Sequence, residues 1–75
     1  MSKSVFTHEY RVVLRKLREA RLDARLTQAD VAKKLKQPQS FVSKFESGER
    51  RLDIVEMGRL AKLYKRPLSY FTASR

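Results

Sequence analysis

Cysteine is absent from all 75 residues, so neither a disulfide nor a thiolate metal site can brace this chain. That absence suits a reducing compartment, and a cytoplasmic location is the expectation. His8 is the sole histidine and stands without a partner at metal-ligating or catalytic spacing. Two glycines, Gly48 and Gly58, are too far apart to make a phosphate-cradling loop, and neither a nucleophile elbow nor a carboxylate dyad is present. These gaps exclude the common catalytic designs, so an enzyme is not expected and no cofactor is implied. Long hydrophobic runs are missing as well: nothing approaches the roughly 20 apolar residues that span a bilayer, and the opening MSKSVFTHEY lacks the apolar stretch of a signal peptide. A soluble protein is expected.

Negative charge is also scarce. Eighteen Lys and Arg face eight Asp and Glu, a formal net charge of +10. Such an excess attracts an extended polyanion, with nucleic acid ahead of an anionic membrane surface or a merely solvated basic face; charge alone does not separate these. A chain of 75 residues has room for one small domain, expected to span 1–75 with its core at about 6–71 and a frayed tail at 72–75.

Hydrophobic spacing predicts helices and no strands, since no segment alternates with period two. In the first helix Phe6, Tyr10, Val13, Leu14, Leu17 and Ala24 recur at three- and four-residue steps, leaving Arg11, Arg15, Lys16, Arg18 and Arg25 on other faces. Thr27 is a good N-cap for the second helix, with Asp30 at the capping-box position and Leu26 placed to staple against Val31. Val31, Ala32 and Leu35 point inward before Lys36, Gln37 and Pro38 interrupt the pattern. Pro38 suits the first turn of a new helix, and a connection of about three residues is that of a helix-turn-helix.

The third helix, about Gln39 to Ser47, divides into two faces at about 100° per residue. Phe41, Val42 and Phe45 cluster on one side; Gln39, Ser40, Ser43 and Lys44 lie opposite, on a face made only of hydrogen-bonding side chains. Phe41 borders the two. Gly48 supplies a left-handed cap, Glu49 to Leu52 form a basic loop, and Asp53 with Glu56 makes a second capping box with a Leu52–Met57 staple. Ile54, Met57, Leu60, Ala61 and Tyr64 are expected to line a fourth helix inward, with Gly58 permitting close packing. Pro67 opens a short fifth helix through Phe71.

Taken together, Arg21, the LTQADVAxxL pattern at 26–35, the QSFVSKFESG run at 39–48 and the apolar spacing that follows resemble the Cro and lambda-repressor class of helix-turn-helix proteins, the XRE family. The likeness covers about Val12 to Phe71. It implies an all-α, compact five-helix lambda-repressor-like fold and a sequence-specific regulator of transcription on double-stranded DNA, most simply a repressor. Two positions depart from the family, which often has glycine where this chain has Arg25 and Lys36.

By matching position, the resemblance makes Gln39, Ser40 and Lys44 base readers in the major groove, with Ser43 nearby. Their chemistry agrees: Gln pairs bidentately with adenine, Lys donates to guanine O6 and N7, and Ser donates or accepts. Gln28 corresponds to a glutamine that touches a phosphate and braces the recognition helix, and Arg21 with Glu46 to an ion pair between the first and third helices. Ser47, the Gly48 amide, Arg50 and Arg51 are expected to clamp the DNA backbone without reading sequence. A homodimer on a two-fold operator follows from the few base pairs one domain can read, with Leu68, Tyr70 and Phe71 as either its association surface or the last piece of the core. The alternative is a protein-interaction module, such as the antitoxin of a toxin-antitoxin pair, whose helical surface grips a protein partner.

Overall fold

The computed structural model describes residues 7–72; of the tail expected at 72–75, Thr72 belongs instead to the last helix, and 73–75, like Phe6, lie outside the described residues. Five α-helices follow one another, α1 His8–Asp23, α2 Gln28–Leu35, α3 Gln39–Ser47, α4 Ile54–Leu63 and α5 Leu68–Thr72, with no strand among the described residues. The expected all-α, five-helix architecture is therefore what forms.

Three helices, α1, α2 and α4, start where the sequence supplies a side-chain cap. The Thr7 hydroxyl accepts from the Tyr10 amide at 3.2 Å, and reciprocal capping boxes join Thr27 to Asp30 and Asp53 to Glu56. Pro38 differs: it occupies the N-cap of α3 itself, with no side-chain hydrogen bond to the first turn. The α2–α3 connection is Lys36, Gln37 and Pro38, three residues as the spacing predicts.

Helix ends are closed by left-handed residues, three of which are cations. Arg25, Lys36 and Lys65 adopt φ of 61°, 58° and 59°. In each case the next residue's amide reaches back to a carbonyl in the last turn: Leu26 to Arg21, Gln37 to Ala32, and Arg66 to Ala61. A side chain in this region costs about 1 kcal/mol relative to glycine. A positive charge beside a helix C-terminus returns roughly 0.3–1 kcal/mol of that. At Arg25 and Lys36, the two departures from the family's glycines, the backbone thus still takes the left-handed conformation that glycine favours.

The core draws on all five helices. Leu17, Val31, Val42, Phe45, Leu60 and Phe71 are fully buried, with Leu14, Ala20, Ala32, Met57, Ala61 and Tyr64 around them. Two expectations for α4 do not hold. Ile54 is 67% exposed, because the first residue of a helix has no preceding turn to fold over it, and Leu52 from the loop packs against the core instead. Gly58 permits no close packing: a Cβ built there meets nothing within 4 Å.

Candidate nucleic-acid interface

The outward face of α3 presents Gln39, Ser40, Ser43 and Lys44, all exposed, while Val42 and Phe45 are buried beneath it. The face carries no carboxylate that would repel phosphate. Pro38 at the N-cap lacks an N–H, and no side chain caps the first turn of this helix.

What holds this helix in place lies under its far flank. Glu46 accepts from Arg21 Nε at 2.7 Å and from a terminal Arg21 nitrogen at 3.2 Å, while Arg21 Nη1 donates to the Leu26 carbonyl at 3.0 Å. The two side chains are 9% and 6% exposed. Gln28 Nε2 donates to the same Glu46 carboxylate at 3.0 Å. One α3 carboxylate therefore ties α1, the α1–α2 connection and the first turn of α2 together. A planar guanidinium forking a carboxylate fixes orientation as well as distance, which a point-charge lysine could not do. Beside it Tyr64 is buried with an unpaired hydroxyl, and that burial pushes its ionisation well above the usual phenol range.

The loop after α3 is organised differently from the sequence-based expectation. Arg50 is engaged along the surface: its two terminal nitrogens donate to Glu56 at 3.0 and 2.9 Å, one of them also to the Arg51 carbonyl at 2.9 Å, and its guanidinium lies 4.7 Å from the Phe41 ring centroid. Hydrogen bonding to Arg50 is the main reason the Glu56 carboxyl is held below its ordinary pKa and the guanidinium raised above its own. Arg50, expected on a phosphate, has its fork engaged on Glu56 and so joins Phe41 of α3 to the cap of α4, with 41% of the side chain still exposed. Arg51 lies over the Tyr10 ring at 4.5 Å, and the Leu52 amide donates to the Tyr10 hydroxyl at 3.2 Å, so the loop is pinned to α1 as well. The Ser47 hydroxyl, exposed at the end of α3, donates to the Lys44 carbonyl at 3.1 Å. The Gly48 amide donates to the Phe45 carbonyl at 3.2 Å.

A residue missed by sequence reasoning enters here. Arg18 of α1, exposed, lines a groove with Arg21, Gln28, Ser43, Glu46 and Ser47, beside the exposed face of α3, and the one carboxylate there is engaged by Arg21. Its helical pattern marks it merely as solvated; the neighbours from α2 and α3 are invisible to spacing along α1.

Among the residues expected at an association surface, Phe71 is fully buried in the core and is removed from that role. Leu68 and Tyr70 are half-buried against the core, Tyr70 with its ring between Lys16 and Arg66. Lys16 also donates to the Tyr70 carbonyl at 3.1 Å, which docks α5 on α1. Among the described residues no group of His, Asp or Glu is arranged to hold a metal, and no helix is long and apolar enough to cross a membrane.

A helix-turn-helix family model matches residues 17–71. The match begins within α1 and ends at the last buried residue of α5, so it takes in the clamp, the reading face and the whole three-residue connection. No curated protein sequence matches the chain.

Proposed function

Since the chain belongs to the helix-turn-helix family of DNA-binding transcriptional regulators, of the XRE type to which Cro and lambda repressor belong, we propose that it is a repressor whose single domain reads an operator as a two-fold dimer. The observation that carries this reading is the exposed, carboxylate-free face of α3, held at a fixed angle by the buried Arg21–Glu46 clamp. Gln39, Ser40, Ser43 and Lys44 read base edges from the major groove. Gln28, Ser47, Arg51 and Arg18 position the DNA backbone, with the net charge of +10 supplying the long-range attraction, while the Gly48 amide, expected to join them, donates instead to the Phe45 carbonyl. Gln28 suits a bridging part, because its amide already braces Glu46 through one N–H and keeps its oxygen and second N–H for other partners.

One such domain spans only a few base pairs, so two copies on half-sites about 34 Å apart are required for an operator of useful length. With Phe71 buried, Leu68 and Tyr70 remain as the part of α5 that a second copy meets. Occupancy of such an operator represses by excluding polymerase.

Selection of bound sequences from a random duplex pool tests the proposal. The expected result is a two-fold symmetric consensus with half-sites one helical turn apart. No enrichment over the starting pool would overturn it and favour a surface built for protein partners. An asymmetric single site would remove the dimer while keeping the reader.

A further inference from the structure

Away from the reading face, α2 and α4 enclose a second surface with a different chemistry. The groove between the C-terminal half of α2 and α4 is lined by Lys34, Leu35, Lys36, Arg59, Lys62 and Leu63. Its floor is the two half-buried leucines and its rim is four exposed cations, with no carboxylate among the lining residues. Carboxylates stand beside the rim but not in it: Asp30, next to Lys34, is held by the Thr27 cap, and Glu56, next to Arg59, by Arg50, while Glu19 faces Arg15, Asp23 faces Arg66 and Glu46 faces Arg21. The rim cations make no ion pair within the described residues. Val55, 59% exposed, recurs with Arg59 and Lys62 at four- and three-residue steps, so an apolar side chain continues the groove along one face of α4.

We infer that this α2–α4 groove is a docking site for an acidic amphipathic segment of a partner protein. Four like charges gathered around an apolar floor repel one another and leave apolar surface in water; a helix bearing carboxylates beside leucine-like side chains relieves both at once. A nucleic-acid backbone would satisfy the rim but offers nothing apolar for Leu35, Leu63 and Val55. The groove also shares no residue with the reading face or with the groove lined by Arg18, Gln28, Ser43 and Ser47, so a partner seated here leaves α3 free for DNA.

The test uses the full chain labelled with 15N and a synthetic 16-residue helix-forming peptide with leucines on one face and glutamates on the other. Amide shifts are expected at residues 34–36 and 59–63 and not along 39–47, and a matched peptide with glutamine for glutamate should leave the spectrum unchanged. The triple variant Lys34→Gln, Arg59→Gln, Lys62→Gln should bind the peptide about tenfold more weakly, the sum of three exposed charge pairs, while its preference for a selected duplex over scrambled DNA stays intact. Absence of shifts at about millimolar peptide, or shifts confined to 39–47, would overturn the inference. So would a scrambled duplex that shifts 34–36 and 59–63 together with a salt slope about three units flatter in the triple variant, which would assign the groove to the DNA backbone.

Discussion

The Glu46 carboxylate and the Arg21 guanidinium form a bidentate pair, 2.7 Å at its shorter contact, in which both side chains are more than nine-tenths buried. Removing one partner from such a pair strands the other in low dielectric. Glu46→Ala should therefore lower unfolding free energy by roughly 3–5 kcal/mol, since Arg21 keeps its charge and loses its counterpart. Gln28→Ala, which removes one hydrogen bond to the same carboxylate at a half-exposed position, should cost about 1–2 kcal/mol. Chemical denaturation of the two variants measures both. A loss below ~1 kcal/mol for Glu46→Ala would reduce the clamp to an ordinary surface pair.

Base reading makes a different demand. Gln39→Ala and Lys44→Ala remove exposed side chains that touch nothing in the core, so stability should stay within about 0.5 kcal/mol. Discrimination between a selected duplex and scrambled DNA should fall by roughly 1–3 kcal/mol for each. Equal loss on both duplexes would assign these residues to the DNA backbone instead.

Arg50 and Arg18 separate a brace from a clamp. Arg50 donates twice to Glu56 and stacks on Phe41, whereas Arg18 faces the groove beside Gln28, Ser43 and Ser47. Arg18→Ala should flatten the dependence of log K on log salt by about one unit on every sequence and leave stability nearly unchanged. Arg50→Ala should lower the melting temperature and leave the slope close to that of the parent. The reverse pattern would place Arg50 on phosphate and Arg18 in solvent.

Much of this was readable along the chain, and the boundary of what was readable has a physical basis. The caps Thr27–Asp30 and Asp53–Glu56 and the three-residue connection are local features, fixed by residues three or four apart, and the spacing located them. The partnership of Arg21 with Glu46 spans 25 positions and came from the family resemblance, since helical periodicity says nothing of which side chains meet across helices. Ile54 was misplaced although its cap was located, because periodicity assigns a face without showing that the first residue of a helix has no preceding turn over it. The groove beside Arg18 and the engagement of Arg50 with Glu56 and Phe41 were not legible, because their surroundings are assembled from other elements. Which cations face DNA is a tertiary property, and a chain with eighteen of them offers no local mark that sorts them.

Acid should act on the α3–α4 brace. The Glu56 carboxyl is held below its ordinary value of 4.5, chiefly by hydrogen bonding to Arg50, with the Asp53 amide adding to the effect and partial burial opposing it. A carboxyl whose folded pKa is depressed binds protons more readily when unfolded, so its stabilisation is fully present above its ordinary value and is lost as pH falls through its lower folded value. The melting temperature should accordingly drop as pH falls below about 4.5, and Glu56→Gln should lie below the parent at neutral pH and approach it in acid. Parallel curves across that window would show that Glu56 contributes no pH dependence. Asp30, lowered mainly by the Thr27 amide, acts in the same direction at the start of α2, so the parent's decline should persist in part in the variant.

Gly58 interrupts α4 without a packing reason, because the space where a Cβ would stand is empty. Glycine in a helix interior costs about 0.8–1 kcal/mol relative to alanine through backbone entropy, and no contact offsets that cost here. Gly58→Ala should therefore stabilise the protein by nearly that amount, raising the melting temperature by about 4–8 °C for a domain of this size. The substitution adds a single methyl on α4, away from the α3 reading face, so binding to a selected duplex should be unchanged in affinity and in salt slope. Two outcomes would contradict this account. A lower melting temperature would mean that the site is filled in solution, and a stabilised variant with weakened binding to a two-fold operator would mean that a second copy approaches α4 closely at this glycine, placing the dimer contact there instead of at Leu68 and Tyr70.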